Sequence, residues 1–280
     1  MKKLKYKNKE VDLPETWDEL SRKQYLKICH ILGEANLNPT DQEALEVNNS
    51  AALILIIKEL LQMNWFTFFK VSKSQLACLL PITGFITKEV SVNKQYLPSF
   101  RIWGFKYAGP SKGCRQTSMA EFSKADNYFI QCCKGEDPDA IFKLAATLYR
   151  PQKTFHFIRR LTLWYNGDNR IAYNDQQIER RAEIFKKRLS KRKLFAILYF
   201  YWGFRNTNVL IFKNLFPEPT KNKVEHSGPQ FGWAGTMLEM SGDKFGDFDK
   251  TSKERWSTIF VEMSRQMSKH QEQEMNNKLS

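Results

Sequence analysis

The chain has 280 residues, 42% hydrophobic and 26% charged, a balance that excludes wholesale disorder. Five cysteines at irregular spacing, with no C-x-x-C pair, argue against a disulfide framework or a zinc site. The longest apolar runs, at residues 51–57 and 194–204, fall short of the ~18 residues that cross a bilayer, so no membrane span is expected.

The net charge of +14 fits an anionic partner such as nucleic acid, an acidic protein face or a membrane surface. It fits equally a lysine-rich exterior that keeps an aromatic-rich protein in solution. The opening MKKLKYKNKEVDLPETW is basic with no apolar core, which reads as a mobile lead-in over residues 1–10 and not as a signal peptide.

Ser21 and Gln24 have capping-box spacing, and Tyr25, Ile28, Cys29 and Leu32 then make one apolar stripe, predicting a helix that Gly33 ends. Thr40 and Glu43 predict a second helix to about Met63, whose AALILII centre is apolar all round and therefore buried. Trp65 to Phe69 reads as a short strand or tight linker. Ser72 and Gln75 open a third helix that Pro81 limits.

From Val90 to Tyr107 the alternation is β-like, with a hairpin turn expected near Asn93-Lys94. Ser118 starts a helix burying Phe122, Ala125 and Phe129. Asp137-Pro138 starts another that closes at Arg150-Pro151. LSRKQY, VSKSQL and TSMAEF share one helix-start pattern, as either a duplicated domain or repeated use of one cap. After a loop at residues 166–169, Asp175 caps a long basic helix that leads into the apolar LFAILYFYWGF. Pro217 and Pro219 open a polar linker to Pro229. A short helix from Trp233 to Ser241 and a last one from Thr251 complete the chain.

The expected fold is thus mainly α, with a small antiparallel β element near residues 90–107. Three segments are expected: 1–151 helical with the hairpin, 152–220 with the long basic and apolar helices, and 221–280 at the C-terminus.

Chemistry-bearing motifs are sparse. No phosphate-binding glycine loop occurs, and Gly109-Pro110-Ser111-Lys112-Gly113 reads as a turn. His30, His156, His226 and His270 are scattered, and Asp243, Asp247 and Asp249 lack the central glycine of a calcium loop. No catalytic residue, metal ligand or cofactor site is assigned, and a non-enzymatic role is expected.

Two surfaces remain. A seam of Trp256, Ile259, Phe260, Met263 and Met267 suits a helix-in-groove contact or docking onto the core, and Phe122 and Phe129 offer a second apolar face. Arg180, Arg181, Lys187, Arg188, Lys191 and Arg192 are candidate phosphate contacts on the basic helix, or else a solvated helix face.

Three stretches carry a family likeness: LPETWDELSRKQYLKI (13–28), FKYAGPSKGCRQTSMAEFSKADNYF (105–129) and KLAATLYRP (143–151). Their order resembles the tail assembly chaperone-like proteins of tailed phages and prophages. The resemblance implies a non-enzymatic assembly factor in the host cytoplasm, or a virion component, with the tape measure and tail-tube subunits as partners. The alternative is a basic nucleic-acid-binding protein acting through residues 180–193.

Overall fold

The computed structural model describes residues 2–6, 9–36, 42–153, 167–216, 232–242 and 244–279. The cap predicted at Thr40 and the linker from Pro217 to Pro229 lie outside them. The described chain is mainly helical with a small antiparallel sheet, the class its sequence predicts.

The lysine-rich start, expected as a mobile lead-in, pairs as antiparallel strands β1 (Lys2–Tyr6) and β2 (Lys9–Leu13). Helix α1 (Arg22–Asn36) opens with the predicted box: Ser21 Oγ accepts the Gln24 N–H at 3.3 Å, and Gln24 Oε1 accepts the Ser21 N–H at 3.0 Å. It continues through Gly33, which was expected to end it. A Cβ there would lie 2.3 Å from the Phe195 ring, so this glycine serves close packing and not termination. Helix α2 (Gln42–Leu60) follows.

Residues expected as a strand or linker form a short helix, α3 (Trp65–Phe68), because Asn64 Oδ1 accepts the Thr67 N–H at 2.8 Å and caps it. Helix α4 (Lys73–Leu79) carries the predicted Ser72–Gln75 box with both bonds made, and α5 (Gly84–Lys88) is a single turn.

Strands β3 (Ser99–Ile102) and β4 (Phe105–Ala108) form the hairpin inside the expected span. Its turn lies at Trp103–Gly104, not near Asn93-Lys94. The N–H groups of Asn93 and Lys94 instead donate to Asp18 Oδ1 at 2.9 and 2.8 Å, which holds that stretch as a loop. Strand β5 (Arg150–Pro151) pairs with β4, giving an antiparallel order β3-β4-β5.

The remaining helices are α6 (Met119–Lys134), α7 (Ala140–Leu148), α8 (Ile178–Arg188), α9 (Lys191–Ile211), α10 (Gly232–Met240), α11 (Phe248–Lys253) and α12 (Trp256–Leu279). The basic run predicted as one helix is broken at Ser190, whose carbonyl accepts the N–H groups of Lys193 and Leu194 at 2.9 and 3.1 Å and so opens α9. The helix predicted from Thr251 is also two helices. Asp247 Oδ1 caps α11 through the Lys250 N–H at 2.9 Å, and α12 starts anew at Trp256.

The chain divides into two compact units, Met1–Leu97 with Arg188–Phe204, and Pro98–Lys187 with Arg205–Ser280. In the first, Trp17, Leu20, Tyr25, Ile28 and Ile56 are fully buried. Tyr25 stacks on Tyr96 with centroids 4.3 Å apart and donates its hydroxyl to the Ala196 carbonyl at 2.8 Å. Trp17 stacks on Tyr199 and donates its indole N–H to the Glu89 carbonyl at 3.1 Å. The apolar run Leu194–Phe204 supplies much of this core, which is why it is apolar on nearly every side.

In the second unit, α7 is almost wholly buried, and Phe100, Tyr107, Tyr149 and Phe185 form a ring cluster beneath the sheet. The start of α12 is tied to the start of α6: Glu254 carbonyl accepts the Met119 N–H at 2.7 Å, and the Trp256 indole donates to the Cys114 carbonyl at 2.9 Å.

Candidate docking surface

The surface that departs most from ordinary protein exteriors lies in the first unit, on residues 65–80. Trp65, Phe66 and Phe69 are 50%, 84% and 77% exposed. Contiguous exposed apolar area of this kind is costly in water and marks a contact surface. The rings hold a defined geometry, with Trp65 stacked on Phe69 at 5.6 Å and set edge-on to the buried Phe68 at 5.9 Å. Only Phe68 of α3 turns inward, because a helix of four residues has one inward position to give.

The patch is anchored from beneath by charge. Lys58 is nearly buried, with its ammonium 4.3 Å above the Trp65 ring and 3.0 Å from Glu59 Oε1. Glu59 also receives Lys27 at 2.6 Å. Burial opposes ionisation of Glu59, but the hydrogen bonds from Lys27 and Lys58 outweigh it and hold the carboxyl below its ordinary value.

Alongside runs a groove of about 450 Å³. Leu61, Met63, Val71 and Leu79 give it an apolar lining, and Lys70, Ser74, Gln75 and Cys78 edge it. Helix α4 buries none of its residues fully; Leu76 and Leu79 pack half-buried against Leu13, Ile57 and Leu61, and the capping box holds its first turn. No Asp or Glu occurs from residue 62 to residue 88, while Lys70, Lys73 and Lys88 do. The surface is therefore apolar with a cationic border.

The residues singled out from sequence are placed differently. Phe122, Phe129, Trp256, Ile259 and Phe260 are all buried, and Met263 is half-buried. Phe122 stacks on Trp256 at 5.8 Å, and Phe260 meets Trp256, Trp233 and Phe122 at 5.2–5.3 Å. The space left among Phe122, Trp233 and Phe260 is about 10 Å³, room for at most one water. Of the two readings of the seam, groove contact or docking onto the core, the burial fits the second: α6 and α10 supply rings that close it. Val261, on the other side of α12, is exposed, and so is Met267, further along the same seam.

The cationic candidates are also redistributed. Arg181 is buried and donates Nε–H to the Ala146 carbonyl at 3.0 Å, making it a helix-packing residue of α8. Burial pushes its guanidinium below the ordinary value, with the Arg150 charge adding to the effect. Arg180, Lys187, Arg188, Lys191 and Arg192 are exposed, and Lys191 lies 3.0 Å from Glu34. Arg180, Arg181 and Lys187 belong to the second unit, Arg188, Lys191 and Arg192 to the first.

Sequence reasoning missed a buried ion cluster in the second unit. Arg170 donates to Glu121 Oε1 at 2.7 Å, to Asp168 Oδ1 at 2.9 Å and to the Leu148 carbonyl at 2.8 Å. Arg150 donates to Glu121 Oε2 at 2.9 Å, to Asp168 Oδ2 at 3.1 Å and to the Ile171 carbonyl at 2.6 Å. Burial pushes Glu121 up, against the pull of both guanidiniums. Burial likewise opposes ionisation of Asp168, but the Arg170 bonds prevail and hold it low. Two cations and two anions balance, with only the Arg150 Nε–H left without an acceptor, so the cluster braces β5 and the 167–170 loop against α6. The "T-S-x-x-E" pattern disguised it: Glu121 sits at the capping-box position but spends its carboxylate on the arginines.

Among the described residues, no three His, Cys, Asp or Glu side chains come together as a metal site, and no helix is long and apolar enough to cross a membrane. Comparison with protein-family models, curated proteins and solved structures gives no match to this chain.

Proposed function

We propose that the protein is a non-enzymatic binding factor that holds an apolar helical partner on residues 65–80, in the manner of the tail-assembly proteins its first 150 residues resemble. The observation that carries this reading is the exposure of Trp65, Phe66 and Phe69 on a capped helix beside an apolar groove. A tape-measure-type helix, apolar on one face, is the partner class, and the host cytoplasm or the assembling virion is the setting. The groove takes the partner's apolar side chains, and the rings cover its flank.

The test is titration calorimetry with a synthetic amphipathic helix. The double substitution Phe66→Asp with Phe69→Asp is expected to abolish binding while the far-ultraviolet circular dichroism stays that of the parent. Unchanged affinity in that variant removes residues 65–80 from the reading.

The second reading is phosphate-backbone binding by Arg180, Lys187, Arg188, Lys191 and Arg192, favoured by their exposure and by the +14 charge. Its mark is affinity that falls steeply with salt.

A further inference from the structure

The β3–β4 hairpin concentrates three local features that each work against stability. Trp103 has a φ of +50°, a left-handed conformation for which Asn, Asp or Gly is the favourable choice, and Gly104 follows at +80°. The Trp103 and Phe105 side chains are 60% and 67% exposed. Arg101 and Lys106 are direct cross-strand partners, so two cations face each other where opposite charges would stabilise the pair. The root, by contrast, is firmly packed: Phe100 stacks on Tyr149 at 5.1 Å, and Tyr107 meets Phe185 edge-on at 5.1 Å. A rigid base thus presents a strained, aromatic, cationic tip. Rule-breaking of this kind, confined to six residues on a sound scaffold, is a mark of a working site.

We propose that this tip is a binding site for single-stranded nucleic acid, with Trp103 at the turn stacking on an unpaired base and Arg101 and Lys106, which share one face of the hairpin, holding the adjoining phosphates. The charge of the segment supports the occupant, because residues 98–120 contain Arg101, Lys106, Lys112 and Arg115 and no Asp or Glu. Exposed aromatic residues close to cations are what sequence-tolerant single-strand binding requires. A duplex keeps its base faces covered, so the rings select unpaired strands. A lipid surface fits less well, since two rings at one turn give little area to insert. The site is separate from residues 65–80 and does not rest on the binding-factor reading.

The experiment is fluorescence anisotropy of a labelled oligothymidylate titrated with the full chain. Trp103→Gly is the informative variant, because glycine relieves the left-handed backbone while deleting the ring. Affinity is expected to fall about tenfold, with a melting temperature equal to or above that of the parent. Raising salt from ~50 to ~200 mM is expected to weaken the parent several-fold, as two phosphate contacts imply. Any of four results overturns the site: no binding by the parent, unchanged affinity in Trp103→Gly, a lowered melting temperature in that variant, or parent binding to phosphatidylserine-containing vesicles but not to the oligonucleotide. Binding that survives Trp103→Gly but is lost on Arg180→Glu with Lys187→Glu would place the contact on α8 instead.

Discussion

Two aromatic clusters, Trp65–Phe69 and Trp256–Phe260, have similar composition and opposite fates. Phe66 is 84% exposed, whereas Phe260 has no exposed surface. The difference lies in what surrounds each. Phe260 is met by Trp233 from α10, Phe122 from α6 and Phe212 beyond the end of α9, so its seam is closed on every side. The Trp65 cluster has Phe68 beneath it and a lysine under Trp65, and among the described residues nothing further covers Phe66. An aromatic run therefore reports burial only when other elements bring rings of their own.

The largest expected effect breaks the comparison at its buried end. Phe260→Ala removes a ring that five others contact, so about 3–5 kcal/mol of stability should be lost. Phe66→Ala, deleting the same ring from the surface, should change stability by less than ~0.5 kcal/mol. Urea denaturation of both variants checks this. Equal losses would mean that Phe66 is covered in solution and that the exposed patch is not free to bind.

Next in size is the ion cluster that supports the buried region's scaffold. Arg170→Met leaves Glu121 and Asp168 with one arginine between them, in surroundings where an uncompensated charge is expensive. The expected loss is about 3–5 kcal/mol, again read by urea denaturation. The double variant Arg170→Met with Glu121→Gln should recover part of it, because the stranded carboxylate is gone. Additive losses would show that the bonds, and not the charge balance, carry the effect.

How much of this was legible in the sequence depends on the range of the interactions involved. The boxes at Ser21 and Ser72 could be read directly, because a cap is a contact between residues three apart. So could the burial of Leu194–Phe204, whose apolar run leaves no polar face. The hairpin turn was misplaced because Asn93-Lys94 looks like a turn, while Trp103-Gly104 puts a tryptophan where such turns rarely hold one. The Asp18 bonds that occupy Asn93 and Lys94 span 75 and 76 residues and leave no local trace. The ion cluster was invisible for the same reason, since Glu121 and Arg170 are 49 residues apart and each looks like an ordinary charged residue. The exposed surface at residues 65–80 leaves no sequence signature, because exposure is set by what fails to cover a residue, which no local pattern encodes.

The smallest expected effect sharpens the exposed end of the comparison. The capping box holds the first turn of α4 while Leu76 and Leu79 tie the helix to the core, so Ser72→Ala should cost about 1 kcal/mol, the usual worth of such a cap. That loss should be local: amide exchange over residues 73–79 should speed up by about fivefold, with the melting temperature of the whole chain nearly unchanged. Because α4 forms one wall of the groove through Ser74, Gln75, Cys78 and Leu79, a frayed α4 should also weaken partner binding by a similar factor. A global drop in melting temperature would instead place α4 among the elements on which the first unit's core depends, and the surface at residues 65–80 would then be part of the fold's foundation.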